Sequence, residues 1–169
     1  MDALYRVRQF VSALRPANDP TAEAAALAAL SPGERALFLR LPAPYRRHSL
    51  AVQARLRAAG QTDPELLTAA LLHDVGKAEA RIRLHHRVLG VLLRNLALPL
   101  LLWLARPATP GSWRYPFHVQ RHHAALGARL ATAAGTPAHT VALIARHHDG
   151  AGPDDDGTLR ALRAADGAE

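Results

Sequence analysis

Leu71-Leu72-His73-Asp74-Val75-Gly76-Lys77 is the stretch that most narrows what this chain can become. An apolar run ends in an imidazole and a carboxylate side by side, followed by a glycine and a lysine. Neighbouring side chains on an α-helix diverge by about a hundred degrees, so His73 and Asp74 can serve one metal ion only where the helix stops. Gly76 is expected to supply that stop. The segment therefore demands a helix that ends inside a folded core. Lys77 adds a second constraint. Of the 21 basic side chains it is the one lysine, a compact and titratable ammonium close behind the metal-type pair.

The rest of the chain reads as helices punctuated by proline, glycine and capping residues. Leu4, Val7, Phe10, Val11 and Leu14 give residues 2–15 an amphipathic pattern that stops before Pro16, and a second helix fits Thr21–Leu30. Ser31-Pro32-Gly33-Glu34 has the form of an N-cap, a first-turn proline and a capping-box glutamate. Further helices are expected over 44–59, closed by Gly60, and from Thr62-Asp63-Pro64-Glu65 into the heptapeptide. Others run from Pro116 to Ala134 before Gly135, from Thr136-Pro137 to His147-His148, and from Thr158 to Asp166, with a loop over 149–157. Alanine and leucine dominate, and no β-branched alternation is long enough for a strand. The expected fold is all-α, and 169 residues suffice for one buried core.

Residues 88–104 are overwhelmingly apolar, but Arg94, Asn95 and Pro99 interrupt them, so no run of about 20 apolar residues can span a membrane. A buried helix pair is expected there. Trp103, Trp113, Tyr115 and flanking arginines leave open a homodimer face or a segment lying on a membrane surface. The net charge of +7 is uneven: no Asp or Glu falls between Glu79 and Asp149, where nine arginines do. Such a stretch attracts anions. No aromatic interleaving or binding module accompanies it, so nucleic acid is not an expected partner. The chain has no cysteine, which excludes disulfides and thiolate chemistry. The charged opening has no apolar signal core, and a cytoplasmic location is expected.

Ten histidines are present, and several fall where core side chains should be. His48 shares a helical face with Tyr45, Val52 and Leu56. Asp166 follows Leu159 and Leu162 at helical spacing, so its carboxylate should point inward, where it needs a metal or a histidine. His147 and His148 end an apolar helix, and His123 lies mid-helix. His85, His86, His118, His122 and His139 are expected at the surface or behind the ligands. A bundle builds a metal centre by bringing one such residue from each of several helices.

His48 in Arg-Arg-His-Ser-Leu, His73-Asp74, and Asp166 in Leu-Arg-Ala-Ala-Asp together resemble the HD superfamily of metal-dependent phosphohydrolases across residues 45–167. His123-Ala-Ala-Leu-Gly127 and Ile144-Ala-Arg-His-His148 are similar to segments of the members that hold two metals. The resemblance implies a helical HD domain over 43–169, with residues 1–42 as a helical extension packed on it. It implies one or two divalent transition metals, such as Fe or Mn, held by His48, His73, Asp74, His123, His147, His148 and Asp166. Asp149-Gly-Ala-Gly-Pro153 lacks the tyrosine of the related cyclic-di-GMP phosphodiesterases.

The chemistry expected of such a site is hydrolysis of a phosphoester or phosphoanhydride, with the metals lowering the pKa of water and neutralising phosphoryl charge. Asp74 would orient or deprotonate the nucleophile. Lys77 would meet a phosphate oxygen, and Arg146 is the nearest arginine to the histidine pair. The expected partner is a small anionic substrate such as a nucleotide. The same ligand order also resembles di-iron oxygenases on the HD scaffold, which oxidise a small organic substrate, and a non-catalytic HD sensor is a third reading.

Overall fold

A computed structural model of the chain describes residues 20–150, 152 and 155–167. The expected helix over 2–15 lies outside them. Among the described residues there are nine α-helices and no strand: α1 (Pro20–Ala29), α2 (Pro32–Arg40), α3 (Ala43–Ala58), α4 (Pro64–Leu72), α5 (Leu84–Leu96), α6 (Leu98–Leu104), α7 (Tyr115–Ala133), α8 (Ala138–Arg146) and α9 (Gly157–Asp166). A short 3-10 helix, Val75–Glu79, follows α4.

Local chemistry sets the ends. Ser31 Oγ accepts from the Glu34 amide at 3.3 Å, while Glu34 Oε2 accepts from the Ser31 amide at 2.9 Å, which closes the capping box of α2. The Asp63 carboxylate caps α4 by accepting from the Glu65 amide at 2.9 Å. Gly60 and Gly135, at φ +79° each, turn the chain after α3 and α7 in a region that costs other residues strain.

The central element is α4. Leu66, Leu67, Ala69, Ala70, Leu71 and Leu72 are all buried, as a run apolar at every position but Thr68 requires. Three bonds from polar side chains lock its neighbours around it. Gln53 Nε2 of α3 donates to Leu67 O at 3.2 Å, and Thr140 Oγ1 of α8 donates to Glu65 O at 3.3 Å. Arg55 Nη1 of α3 donates to Ala165 O of α9 at 2.9 Å. One apolar core runs through these helices from Ala26 and Phe38 to Leu162 and Ala165.

Gly76 acts differently from the expectation. Its φ is not positive, and α4 already ends at His73, with Asp74 at φ −96° and ψ 2° making the turn. What glycine supplies is close approach. A Cβ on Gly76 would lie 2.1 Å from His123 O and 2.7 Å from Gly127 N. The 3-10 helix can thus lie directly on the backbone of α7.

The apolar segment 88–104 forms the expected pair of helices, with Pro99 in the first turn of α6, but the pair is not buried. Gly90 packs on the Gln120 side chain of α7, and Leu104 is buried. Val88, Leu89, Leu92, Leu96, Leu98, Leu100, Leu102 and Trp103 are exposed. Apolar composition alone does not say whether a partner surface exists to cover it.

Candidate metal centre

Five elements deliver polar side chains to the C-terminal end of α4. His48 comes from α3, His73 and Asp74 from the end of α4, and His123 from α7. His147 and His148 follow α8, and Asp166 ends α9. The ligand atoms of Asp74, His123, His147 and His148 lie within 4.8 Å of one another. So do those of His48, His73 and Asp74, and those of His73, His147 and Asp166. Asp74 is common to the first two groups, and Oδ1 stands 3.4 Å from His123 Nε2 and 3.7 Å from His73 Nε2.

Three of the imidazoles are aimed by the same device. His73 Nδ1–H donates to Ala70 O at 2.9 Å, His123 Nδ1–H to Gln120 O at 3.0 Å, and His147 Nδ1–H to Ile144 O at 2.7 Å. Each bond joins a histidine to the carbonyl three residues earlier in its own helix. With Nδ1 engaged in this way, Nε2 is the acceptor and faces the other ligands. His48 and His73 also approach Asp166: His48 Nε2 is 2.8 Å and His73 Nε2 3.4 Å from Asp166 Oδ1.

The donor set passes a test independent of motif. His123 Nε2 and His147 Nε2 are buried and have no hydrogen-bond partner. A buried acceptor left unsatisfied costs about 1–3 kcal/mol, so natural structures rarely keep two side by side. A divalent cation satisfies both at once and suits this mixture of neutral imidazoles and carboxylates. The residues present fit a metal.

The HD domain model of protein families matches residues 45–168, which takes in every residue of the cluster. The chain belongs to the HD family. HD domains are associated with metal-dependent hydrolases. Comparison with curated proteins and with solved structures finds no match.

Electrostatics prepare this HD site for cations. Burial would raise the Asp74 carboxyl, but the Lys77 ammonium and the surrounding imidazoles outweigh it and hold the group well below the usual carboxylate range. Burial would raise Asp166 as well, but the His48 and His73 imidazoles, 2.8 and 3.4 Å from its Oδ1, outweigh it and hold the group low. Burial, reinforced by Lys77, lowers His123 to about 3. His147 and His148 are lowered by burial first, with neighbouring imidazoles adding to the effect on His147 and Lys77 adding to that on His148. At neutral pH the carboxylates are charged and these three imidazoles neutral, the state in which each can donate to a metal.

Lys77 Nζ sits 2.7 Å from both Asp74 oxygens. Beyond it lies the ring of Tyr45, with Lys77 Nζ 5.4 Å and the Arg87 guanidinium 4.7 Å from its centroid. Pro42, Tyr45, Arg81, Leu84 and Arg87 help line a cleft of about 340 Å³. Tyr45 and Arg87 had no assigned part in the sequence reading. Tyr45 was visible only as a face-mate of His48, and Arg87 reaches it from 42 residues away by tertiary packing alone. A second cleft, of about 360 Å³ beside Glu34, Glu65 and Thr140, contains none of the cluster.

Arg146 Nη2 pairs with Asp155 Oδ1 at 2.8 Å, and Arg163 holds the other oxygen of that carboxylate. A substrate contact by Arg146 would need this pair to part. The remaining histidines stand outside the cluster. His118 pairs through its ring with His122 and through Nδ1 with Ala105 O, His85 with His86, and His139 with Thr158.

Proposed function

We propose that this HD protein hydrolyses a phosphoester or phosphoanhydride bond of a small anionic substrate, with a nucleotide as the class to test first. The observation that supports it most is the placement of Asp74. One carboxylate is common to two groups of possible ligands and carries the chain's single ammonium on its outer side. His48, His73, Asp74, His123, His147, His148 and Asp166 would hold one or two divalent metals, Fe or Mn by the donor chemistry. Bound there, such ions supply Lewis acidity and make water a stronger acid.

The chain's own groups account for the remaining steps. Asp74 orients the attacking water, whose proton passes to solvent, because a carboxyl held this far below the usual range is too weak a base to keep it. Lys77 keeps that carboxylate charged and offers Nζ to a non-bridging phosphate oxygen as a point charge. The leaving group is assigned to the cleft beyond Lys77, where the Tyr45 ring can stack on a base and Arg81 and Arg87 meet further phosphates. Arg146 has a lesser part, because Asp155 already holds its guanidinium.

The test is a panel of nucleotides and simple phosphate esters with Mn or Fe added to protein purified without chelator. Phosphate release is expected, with Tyr45→Ala and Arg87→Ala raising KM for nucleotides more than for a phenyl phosphate. Metal bound with no turnover of any phosphoester, and oxygen consumed in the presence of an organic substrate, would select the di-iron oxygenase reading. Metal binding with neither activity would leave the non-catalytic one.

A further inference from the structure

Ten of the eleven large apolar side chains that stand exposed among the described residues fall between Leu84 and Trp113. They lie on α5, on α6 and in the turn that follows. Leu84, Val88, Leu92 and Leu96 recur every four residues along the side of α5 opposite Gly90, the position that packs on α7. Leu98, Leu100, Leu102 and Trp103 continue it along α6, and Trp113 stands just beyond. Leu96 is 82% and Trp113 67% exposed, so the apolar side of the pair faces away from the protein.

The charges around this surface select what can cover it. Arg81, Arg83, Arg87, Arg94, Arg106 and Arg114 accompany it, and no acidic residue occurs anywhere from Ala80 to His148. Glu79, the acid that precedes this stretch in the sequence, is already paired with Arg40 at 2.7 Å. Arg114 stacks 5.2 Å from the Trp103 ring and donates to its carbonyl at 3.3 Å, which sets a guanidinium beside an indole at the rim. A second copy of this chain, docked through the same face, would bring two sets of uncompensated arginines together. A surface that is apolar within and anionic at its rim satisfies both features. The 13 residues of α5 and 7 of α6 are too short to cross a bilayer, and no helix among the described residues is long and apolar enough to do so.

We propose that α5 and α6 dock the protein in the plane of an anionic phospholipid surface, with the leucines and Trp103 entering the interface and the arginines meeting lipid phosphates. Leu84 belongs both to this face and to the cleft beyond Lys77, so docking would set the cleft mouth next to the bilayer. The inference does not depend on the reaction proposed above.

The chain's two tryptophans both lie in this region, so their intrinsic fluorescence reports on it directly. With vesicles of phosphatidylcholine plus phosphatidylglycerol, the protein is expected to float with the lipid and its emission to shift to the blue. Vesicles of phosphatidylcholine alone should capture much less. Leu92→Glu with Leu96→Glu should lower partition by at least about tenfold while the circular dichroism is unchanged. Arg106→Gln should lower it about fivefold and weaken its dependence on salt. Failure to bind anionic vesicles would overturn the proposal. So would a lipid-free dimer that Leu92→Glu dissociates and that never partitions. Equal binding to neutral and anionic vesicles would overturn the assigned role of the arginines.

Discussion

Asp74 and the imidazoles around it show how single residues can be costly to the metal-free fold and useful to the site. His123 Nε2 and His147 Nε2 are buried without a hydrogen-bond partner, while Asp74 draws its compensation mainly from Lys77. Because Asp74 belongs to two ligand groups and His48 and His148 to one each, the three should differ in metal content. Asp74→Ala is expected to lose all bound metal. If two ions bind, His48→Ala and His148→Ala should each retain one, as mass spectrometry of the metal would show. Acid should destabilise the metal-free protein for the same reasons. His123 is neutral in the fold down to about 3, whereas in the unfolded chain it charges near 6.5. The unfolded state therefore binds the extra proton between those values, and the stability present above about pH 6.5 is lost as pH falls. Asp74 and Asp166, lowered in the fold, act with the same sign, losing their contribution below the ordinary carboxylate pKa near 4. Urea midpoints measured with chelator should fall steadily from pH 7 to pH 4.

Between elements, the contact of the 3-10 helix with α7 fixes where Asp74 and His123 meet. Gly76→Ala puts a methyl against backbone atoms that cannot rotate away, and should cost about 3 kcal/mol in urea unfolding. A loss below about 1 kcal/mol would mean that the two elements part easily. Helix existence was legible in the sequence because start and stop chemistry is local: the Ser31 capping box and the Asp63 cap act as read, and every expected helix beyond Pro20 is present. The role of Gly76 was not legible, since close approach depends on a backbone 47 residues away. Nor was the outward face of α5 and α6. Periodicity marks an apolar side but not whether anything covers it. In the site, the spacing of His48, His73-Asp74, His123, His147 and Asp166 placed each candidate ligand at a buried or inward position. The Tyr45 and Arg87 wall of the cleft came only with the tertiary fold.

At the scale of the whole molecule, the helices before the family match are part of the same core. Leu30, Leu37, Phe38 and Leu41 are buried with Leu56, Leu71 and Leu162. Phe38→Ala should therefore lower global stability by about 4 kcal/mol in one cooperative transition. A separate early transition would show that residues 20–41 unfold alone. That shared core also packs against the elements which converge at the end of α4. The most direct test of the account is anomalous diffraction from crystals of chelator-free protein, collected at the iron and manganese edges. The account predicts one or two anomalous peaks in contact with Asp74, with His123 and His147 among the ligands. Folded protein loaded with Fe or Mn that shows no peak there would contradict it.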